Sequence, residues 1–253
     1  MGISVAVAQV PICWSVESNL ETILAAIEDV DDGTLLVLPE AALSGYDDDL
    51  SGLGDLDPGE LIRGRNVIAA AASERGVHVL CGSLLFDREQ WWNAAMYFSP
   101  SGRTWTYRKV NLAMHERGRL AAGSTLPTLD LDLPTERVTV GVQLCREIRF
   151  PEQWRSLARQ GARVLIYMTY AANPTQPSGV WRAHLISRAA ETQRFVLAAN
   201  VAHSHQNCPT MIISPRGEVI AEAFTPEPTI LRHEIDLTDI RDDYLRQQRE
   251  DLV

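Results

Sequence analysis

The sequence predicts an α/β fold in which two β-sheets pack face to face with helices outside, and three observations carry that prediction. Strand-like and helix-like runs alternate along both halves of the chain in the same order. Residues 35–38, Leu-Leu-Val-Leu, form a continuous apolar run, as expected of a strand covered on both faces. The segment MYFSPSGRTW from Met96 is echoed by MIISPRGEVI from Met211, each placing Ser-Pro-x-Gly between strand-like runs. So short an echo is compatible with one hairpin solution reached twice. Together with the shared element order it indicates two similar halves. No linker, low-complexity tract or charge run divides residues 1–253, which therefore read as a single domain.

In order, residues 3–9 alternate as a strand, and 19–30 read as a helix with Leu20, Ile23, Leu24, Ile27 and Val30 on one face. Ser18 and Glu21 stand at capping-box spacing, with Ser15 as the other candidate cap. The strand at 35–38 ends in Pro39-Glu40. A helix over 60–75 closes on Gly76, a residue suited to a left-handed C-cap. Strands follow at 77–82, 93–99 and 104–108, the last two joined through Pro100-Ser101-Gly102. The second half repeats the plan: strand 138–144, helix 151–160, strand 163–168 and helix 180–194. Strands at 195–201, 208–214, 218–223 and 229–235 complete it before a polar, helical tail. Trp181, Leu185, Ala189 and Thr192 follow helical spacing and read as one packed face; His184, Arg188 and Glu191 form a neighbouring salt-bridged or interface face.

At 253 residues with 45% hydrophobic content, the chain has ample material for a core. Its net charge of −10 argues against nucleic acid and against an anionic membrane surface as partners. The four cysteines, Cys13, Cys81, Cys145 and Cys208, form no C-x-x-C pair, so neither a disulfide framework nor a zinc ribbon is indicated. The N-terminal segment MGISVAVAQV lacks a basic leader, and Ala6 occupies the position where a myristoylation motif wants Ser or Thr. No apolar run approaches the ~20 residues of a membrane span. The expectation is a reduced, cytoplasmic enzyme.

Chemistry concentrates where strands end. The alternating run 138–144 leads straight into Cys145, and Pro151 and Glu152 then open a helix. A cysteine at such a corner projects from the carboxyl edge of a sheet, where α/β folds place nucleophiles. By residue type alone it would be a small buried hydrophobe. Glu40 and Lys109 stand at the ends of two other strands. In isolation each has a plain reading, a turn carboxylate and a solvated lysine, and Glu116 could be an exposed loop acid. As a set they suit acyl transfer: the thiol attacks a carbonyl, Glu40 takes and returns the proton, and the Lys109 ammonium faces the oxyanion with the Arg146 backbone N–H. One such donor is typically worth about 3 kcal/mol of transition-state stabilisation. No histidine, metal or cofactor is needed.

Leu38-Pro39-Glu40 with Ser44-Gly45-Tyr46, Tyr107-Arg108-Lys109 with Leu112, and Cys145 with Arg149-Phe150-Pro151-Glu152 resemble the three signature blocks of the nitrilase superfamily of carbon–nitrogen hydrolases. Trp181, Arg188-Ala189 and Glu191, and Ser214-Pro215-x-Gly217, resemble two further blocks. The resemblance implies a four-layer α-β-β-α sandwich with Glu40 as base, Lys109 as oxyanion stabiliser and Cys145 as nucleophile. It also implies a homodimer or higher homo-oligomer, and a second glutamate orienting substrate or water, for which Glu116 is the nearest match. The chain departs from the family where Arg146 and Glu147 follow the cysteine in place of an aromatic residue or Asn and an Asp, and where Asn111 replaces a histidine. Arg146 points away from nitriles and toward amides.

Rival readings are weaker. A Cys–His hydrolase would leave the Glu40 and Lys109 blocks unexplained. His203, His205 and Cys208 have a spacing that could hold a metal but lack an obvious fourth ligand. A non-catalytic binding or scaffold subunit would be expected to carry a damaged triad. The expected activity is therefore hydrolysis of a small linear amide, of the ω-amidase or aliphatic amidase type, through a cysteine thioester. The alternatives are an N-carbamoyl hydrolase or a nitrilase. Tyr46, Arg146, Glu147, Thr169, Tyr170 and Asn173 are the candidate substrate-binding residues, with Arg146 able to hold a substrate carboxylate.

Overall fold

The computed structural model describes residues 2–175, 178–247 and 249. The first half runs β1 (Ile3–Gln9), α1 (Val16–Glu28), β2 (Leu35–Val37), α2 (Pro58–Arg75), β3 (His78–Asp87), β4 (Gln90–Phe98) and β5 (Thr104–Arg108). The second runs β6 (Thr128–Asp132), β7 (Arg137–Leu144), α3 (Pro151–Arg159), β8 (Val164–Met168), α4 (Ser178–Thr192), β9 (Phe195–Ala199), β10 (Thr210–Ile213) and β11 (Val219–Ala223). Strand β12 (Thr229–Ile235) and the short helix α5 (Asp243–Gln247) follow. The strands form two six-stranded sheets, ordered β12-β1-β2-β3-β4-β5 and β11-β10-β9-β8-β7-β6.

Strand alternation builds the layers. Val5, Val7, Leu35 and Val37 of the first sheet meet Val138, Val140, Val142 and Leu144 of the second, forming the core between the sheets. Their neighbours in sequence, Ala6, Ala8, Leu36 and Leu38, face the other way and pack with Ile23 and Ile27 of α1 and Ile68 of α2. Leu157 of α3 and Trp181, Leu185 and Ala189 of α4 pack on the outer face of the second sheet. The result is the expected α-β-β-α order. Each fully buried Val, Leu or Ile side chain contributes roughly 1.5–3 kcal/mol by area. β12 pairs antiparallel with β1, Val5 opposite His233, so the last strand of the chain completes the first sheet.

Several elements differ from expectation for local reasons. α1 begins at Val16 because Ser15 is its N-cap, accepting from Ser18 N; the Ser18/Glu21 pair lies inside the helix. α2 begins at Pro58, behind the Asp57 cap. β3 and β4 extend past the predicted ends into a tight hairpin whose turn residues, Arg88 and Glu89, have φ of 51° and 62°. β6 was not foreseen; Leu129 and Leu131 face the core while Asp130 and Asp132 face outward. α4 spans Ser178–Thr192, shifted toward the N-terminus, and of the predicted tail residues 248 and 250–253 lie outside the described residues. Among the described residues no helix is long and apolar enough to cross a membrane.

Candidate active site

The corner that carries Cys145 is sharp. β7 ends at Leu144, Cys145 takes a left-handed φ of 41°, and residues 145–149 form a single 3-10 turn before Pro151 starts α3. Such φ values cost free energy in non-glycine residues and persist only where the surroundings impose them. The corner turns Sγ into a cavity of ≈ 210 Å³ lined by Cys145, Tyr46, His115, Arg146, Tyr170 and Trp181, among others. Burial pushes the Cys145 thiol up to about 12; the charge of Glu40 adds to the rise and that of Lys109 opposes it. Burial thus favours the protonated thiol.

Glu40 lies on a loop folded back over β3. Gly82 N donates to Pro39 O (3.1 Å) and Leu43 N to Gly82 O (3.1 Å). A Cβ on Gly82 would stand 2.4 Å from Ala41 N, so only glycine allows the loop to lie this close. The Glu40 carboxylate is wholly buried. Its Oε1 accepts from Lys109 Nζ (2.9 Å) and Asn93 Nδ2 (2.8 Å), and its Oε2 accepts from Tyr170 N (2.9 Å), just past the end of β8.

Lys109 follows β5. Its backbone N donates to Asn93 O (2.8 Å), and Nζ donates to Glu40 Oε1 and Glu116 Oε1, each at 2.9 Å. Burial alone would lower the pKa of this ammonium, but the two carboxylates outweigh it and raise the lysine's pKa. Burial acts on Glu116 in the unfavourable sense as well; the Lys109 charge, then Asn93 and Ala113 N, overcome it and hold the carboxyl below its ordinary value. Tyr46 Oη donates to Glu116 Oε1 (2.8 Å), so at 2.7 Å the imidazole Nε2 of His115 must act as donor to it. Two carboxylates share one ammonium, and Asn93 Nδ2 bridges them from the side (2.8 and 2.7 Å).

Of the residues singled out in the sequence, Glu40, Lys109 and Glu116 join in one buried cluster whose charges act on the Cys145 thiol, and Cys145, Tyr46, Arg146, Tyr170 and Asn173 line the cavity. Thr169 is buried beside the thiol, where its side-chain hydrogen bonding lowers the Cys145 pKa against the larger effect of burial. Glu147 is a correction. It is fully buried away from the cavity, with both oxygens occupied by Tyr107 Oη and by the amides of Val110, Asn111 and Leu144. The turn after Cys145 sends successive side chains in different directions, which adjacency in sequence does not convey. Asn93 and His115 were missed; an Asn inside a strand-like run, where that residue is depleted, was the available signal for the first. His203 Nδ1 accepts from His205 N (3.0 Å), while Cys208 is buried apart from them.

A comparison with protein-family models matches residues 4–244 to the carbon-nitrogen hydrolase family. The chain belongs to that family. This carbon-nitrogen hydrolase is 34% identical over 211 residues to the 2-oxoglutaramate amidase of Bacillus subtilis (strain 168), covering 80% of this chain and 78% of that protein. It is 30% identical over 250 residues to an (R)-stereoselective amidase of Pseudomonas sp, covering 93% and 86%. Among solved structures it superposes on a mutant of the amidase from Nesterenkonia sp. AN1, in which the acetamide moiety of fluoroacetamide is covalently added at that enzyme's active-site cysteine, at a TM-score of 0.83 and 20% identity, covering 99% and 95%. That likeness shows the fold of the hydrolase.

Proposed function

We propose that this hydrolase cleaves the primary amide of a small linear acid through a thioester on Cys145. One observation carries the reading. Lys109 is clamped, fully buried, between Glu40 and Glu116, and Tyr170, whose amide holds Glu40, shares the cavity with Cys145. Because burial favours the protonated thiol, its proton leaves as Sγ attacks the carbonyl carbon, and Glu40 accepts it. The oxyanion faces the Lys109 ammonium and the Arg146 backbone N–H, where positive charge is already in place. Glu40 returns the proton to the nitrogen, ammonia departs and the thioester remains. Water then attacks the thioester carbon, Glu40 takes its proton and passes it to the leaving sulfur. The acid is released and the thiol restored. Glu116 orients the substrate or the water.

A cavity of ≈ 210 Å³ suits a short acyl chain. Arg146 lines that cavity and makes no ion pair with another described residue, which supports a role for its guanidinium in holding a carboxylate at the far end of the substrate. An ω-amide meets both requirements, in keeping with the 2-oxoglutaramate amidase relative. Tyr46, Tyr170 and Asn173 also line the cavity, and Thr169 is buried beside the thiol. A homodimer belongs to the same reading, and light scattering tests it.

The experiment is ammonia release across a panel of ω-amides, aliphatic amides, N-carbamoyl acids and nitriles. ω-Amides should lead, Cys145→Ala should abolish turnover with the fold intact, and Arg146→Gln should raise KM for carboxylate-bearing substrates only. Turnover retained in Cys145→Ala overturns the mechanism; an Arg146→Gln enzyme with unchanged preference overturns the substrate class.

A further inference from the structure

Glu147 stands two residues beyond the nucleophile, yet its side chain never reaches the cavity. Its carboxylate is fully buried and surrounded by donors alone. Oε1 accepts from Tyr107 Oη (2.7 Å), Val110 N (2.8 Å) and Asn111 N (3.1 Å). Oε2 accepts from Leu144 N (2.8 Å). Surroundings that only donate fit the ionised carboxylate, which only accepts.

The donors come from two places that the chemistry needs in fixed relation. Tyr107, Val110 and Asn111 bracket Lys109, at the end of β5, which is an edge strand of the first sheet. On its other side this segment is tied to β4 through Lys109 N and Asn93 O (2.8 Å), but Val110 and Asn111 lie past the end of β5, where no ladder takes up their N–H groups. Leu144 is the last residue of β7, in the opposite sheet, directly before the left-handed Cys145. Its bond to Oε2 closes the 3-10 turn from the side-chain end, while the Glu147 carbonyl accepts from Trp154 Nε1 (3.1 Å) and so anchors the same turn to α3.

We infer that Glu147 is a positioning residue, whose carboxylate fastens the Lys109 segment of one sheet to the nucleophile corner of the other and thereby sets Nζ against Sγ. The inference rests on the proposed use of Lys109 and Cys145. Glu147 touches neither substrate nor reacting atoms. Its length is decisive, because one side chain must meet donors on both sides at once. A glutamine keeps that length but replaces one accepting oxygen with an NH₂, so one of the two sides loses its acceptor. An aspartate keeps the charge but is one methylene short.

The test measures kcat and KM for ammonia release, and the rate at which iodoacetamide labels Cys145 in the native enzyme, for Glu147→Gln, Glu147→Asp and Tyr107→Phe, with circular dichroism and melting temperature recorded for each. Displacing a catalytic group by about 1 Å can cost ~100-fold in rate, and a fall of that order in kcat is expected for both Glu147 variants with KM near the wild-type value. Labelling of Cys145 should slow in parallel. Tyr107→Phe, which removes one donor, should show the same kcat-only pattern with a smaller fall. Folded Glu147 variants with wild-type kcat, or with the loss confined to KM, overturn the inference. Should both Glu147 variants fail to fold, an unchanged kcat in Tyr107→Phe overturns it. If the wild-type enzyme hydrolyses none of the panel, the proposed reaction fails on its own, and labelling of Cys145 in Glu147→Gln at the wild-type rate then decides against the clamp.

Discussion

Burial favours the protonated thiol of Cys145, so in the proposed reaction its reactivity depends on Glu40 as base and not on a standing thiolate. This makes a counter-intuitive prediction for labelling. Cys13 is exposed while Cys81, Cys145 and Cys208 are buried. Iodoacetamide should nevertheless modify Cys145 first, because Glu40 can accept its proton as the bond forms; in Glu40→Gln, Cys13 should become the faster site, read by peptide mass spectrometry. Lys109→Met should abolish turnover and also destabilise the fold by about 3–5 kcal/mol in urea titration, since it leaves Glu40 and Glu116 buried without their counter-charge. Asn93→Ala removes a donor shared by both carboxylates and should lower kcat about tenfold or more. At this scale the sequence was readable where chemistry and strand ends coincide, as at Glu40, Lys109 and Cys145. Asn93 and His115 reach the site only through the way β4 and the 109–120 segment fold; an Asn in a strand-like run hints at the first, and nothing near His115 signals the second.

Among the elements, caps and close approaches carry the testable content. Ser15→Ala should cost about 1 kcal/mol of stability because Ser15 closes the first turn of α1, whereas Ser18→Ala, inside the helix, should cost much less. Gly82→Ala should cut kcat sharply while leaving the secondary structure intact, because the new methyl meets the backbone of the loop that carries Glu40. The alternation of inward and helix-facing residues made most strands legible from the sequence, and Gly76 marked the end of α2, whose start at Pro58 lies two residues before the expected one. The turn of the β3–β4 hairpin was opaque for a physical reason: Arg88 and Glu89 adopt positive φ without the Asn-Gly signature that normally announces it. β6 was hidden because its outward aspartates lower the apparent apolar content of a strand whose two leucines are buried.

For the whole molecule, the buried charges tie stability to acidity. The carboxyl of Glu116 is held below its reference value of 4.5 in the folded state, so its contribution is present above that pH and drains away as pH falls through the lower, folded value. The urea midpoint should therefore drop on the acid side of about pH 4.5, and less steeply in Glu116→Gln.

The pairing of β12 with β1 has a consequence in time. Glu40 and Lys109 are made early, yet the flank of their sheet stays open until residue 235 has left the ribosome. A nascent or truncated product lacking β12 would present the bare backbone of β1, a template for joining other chains. Synthesis of this enzyme thus has a vulnerable interval, and removing the last strand should yield aggregates instead of a feeble catalyst.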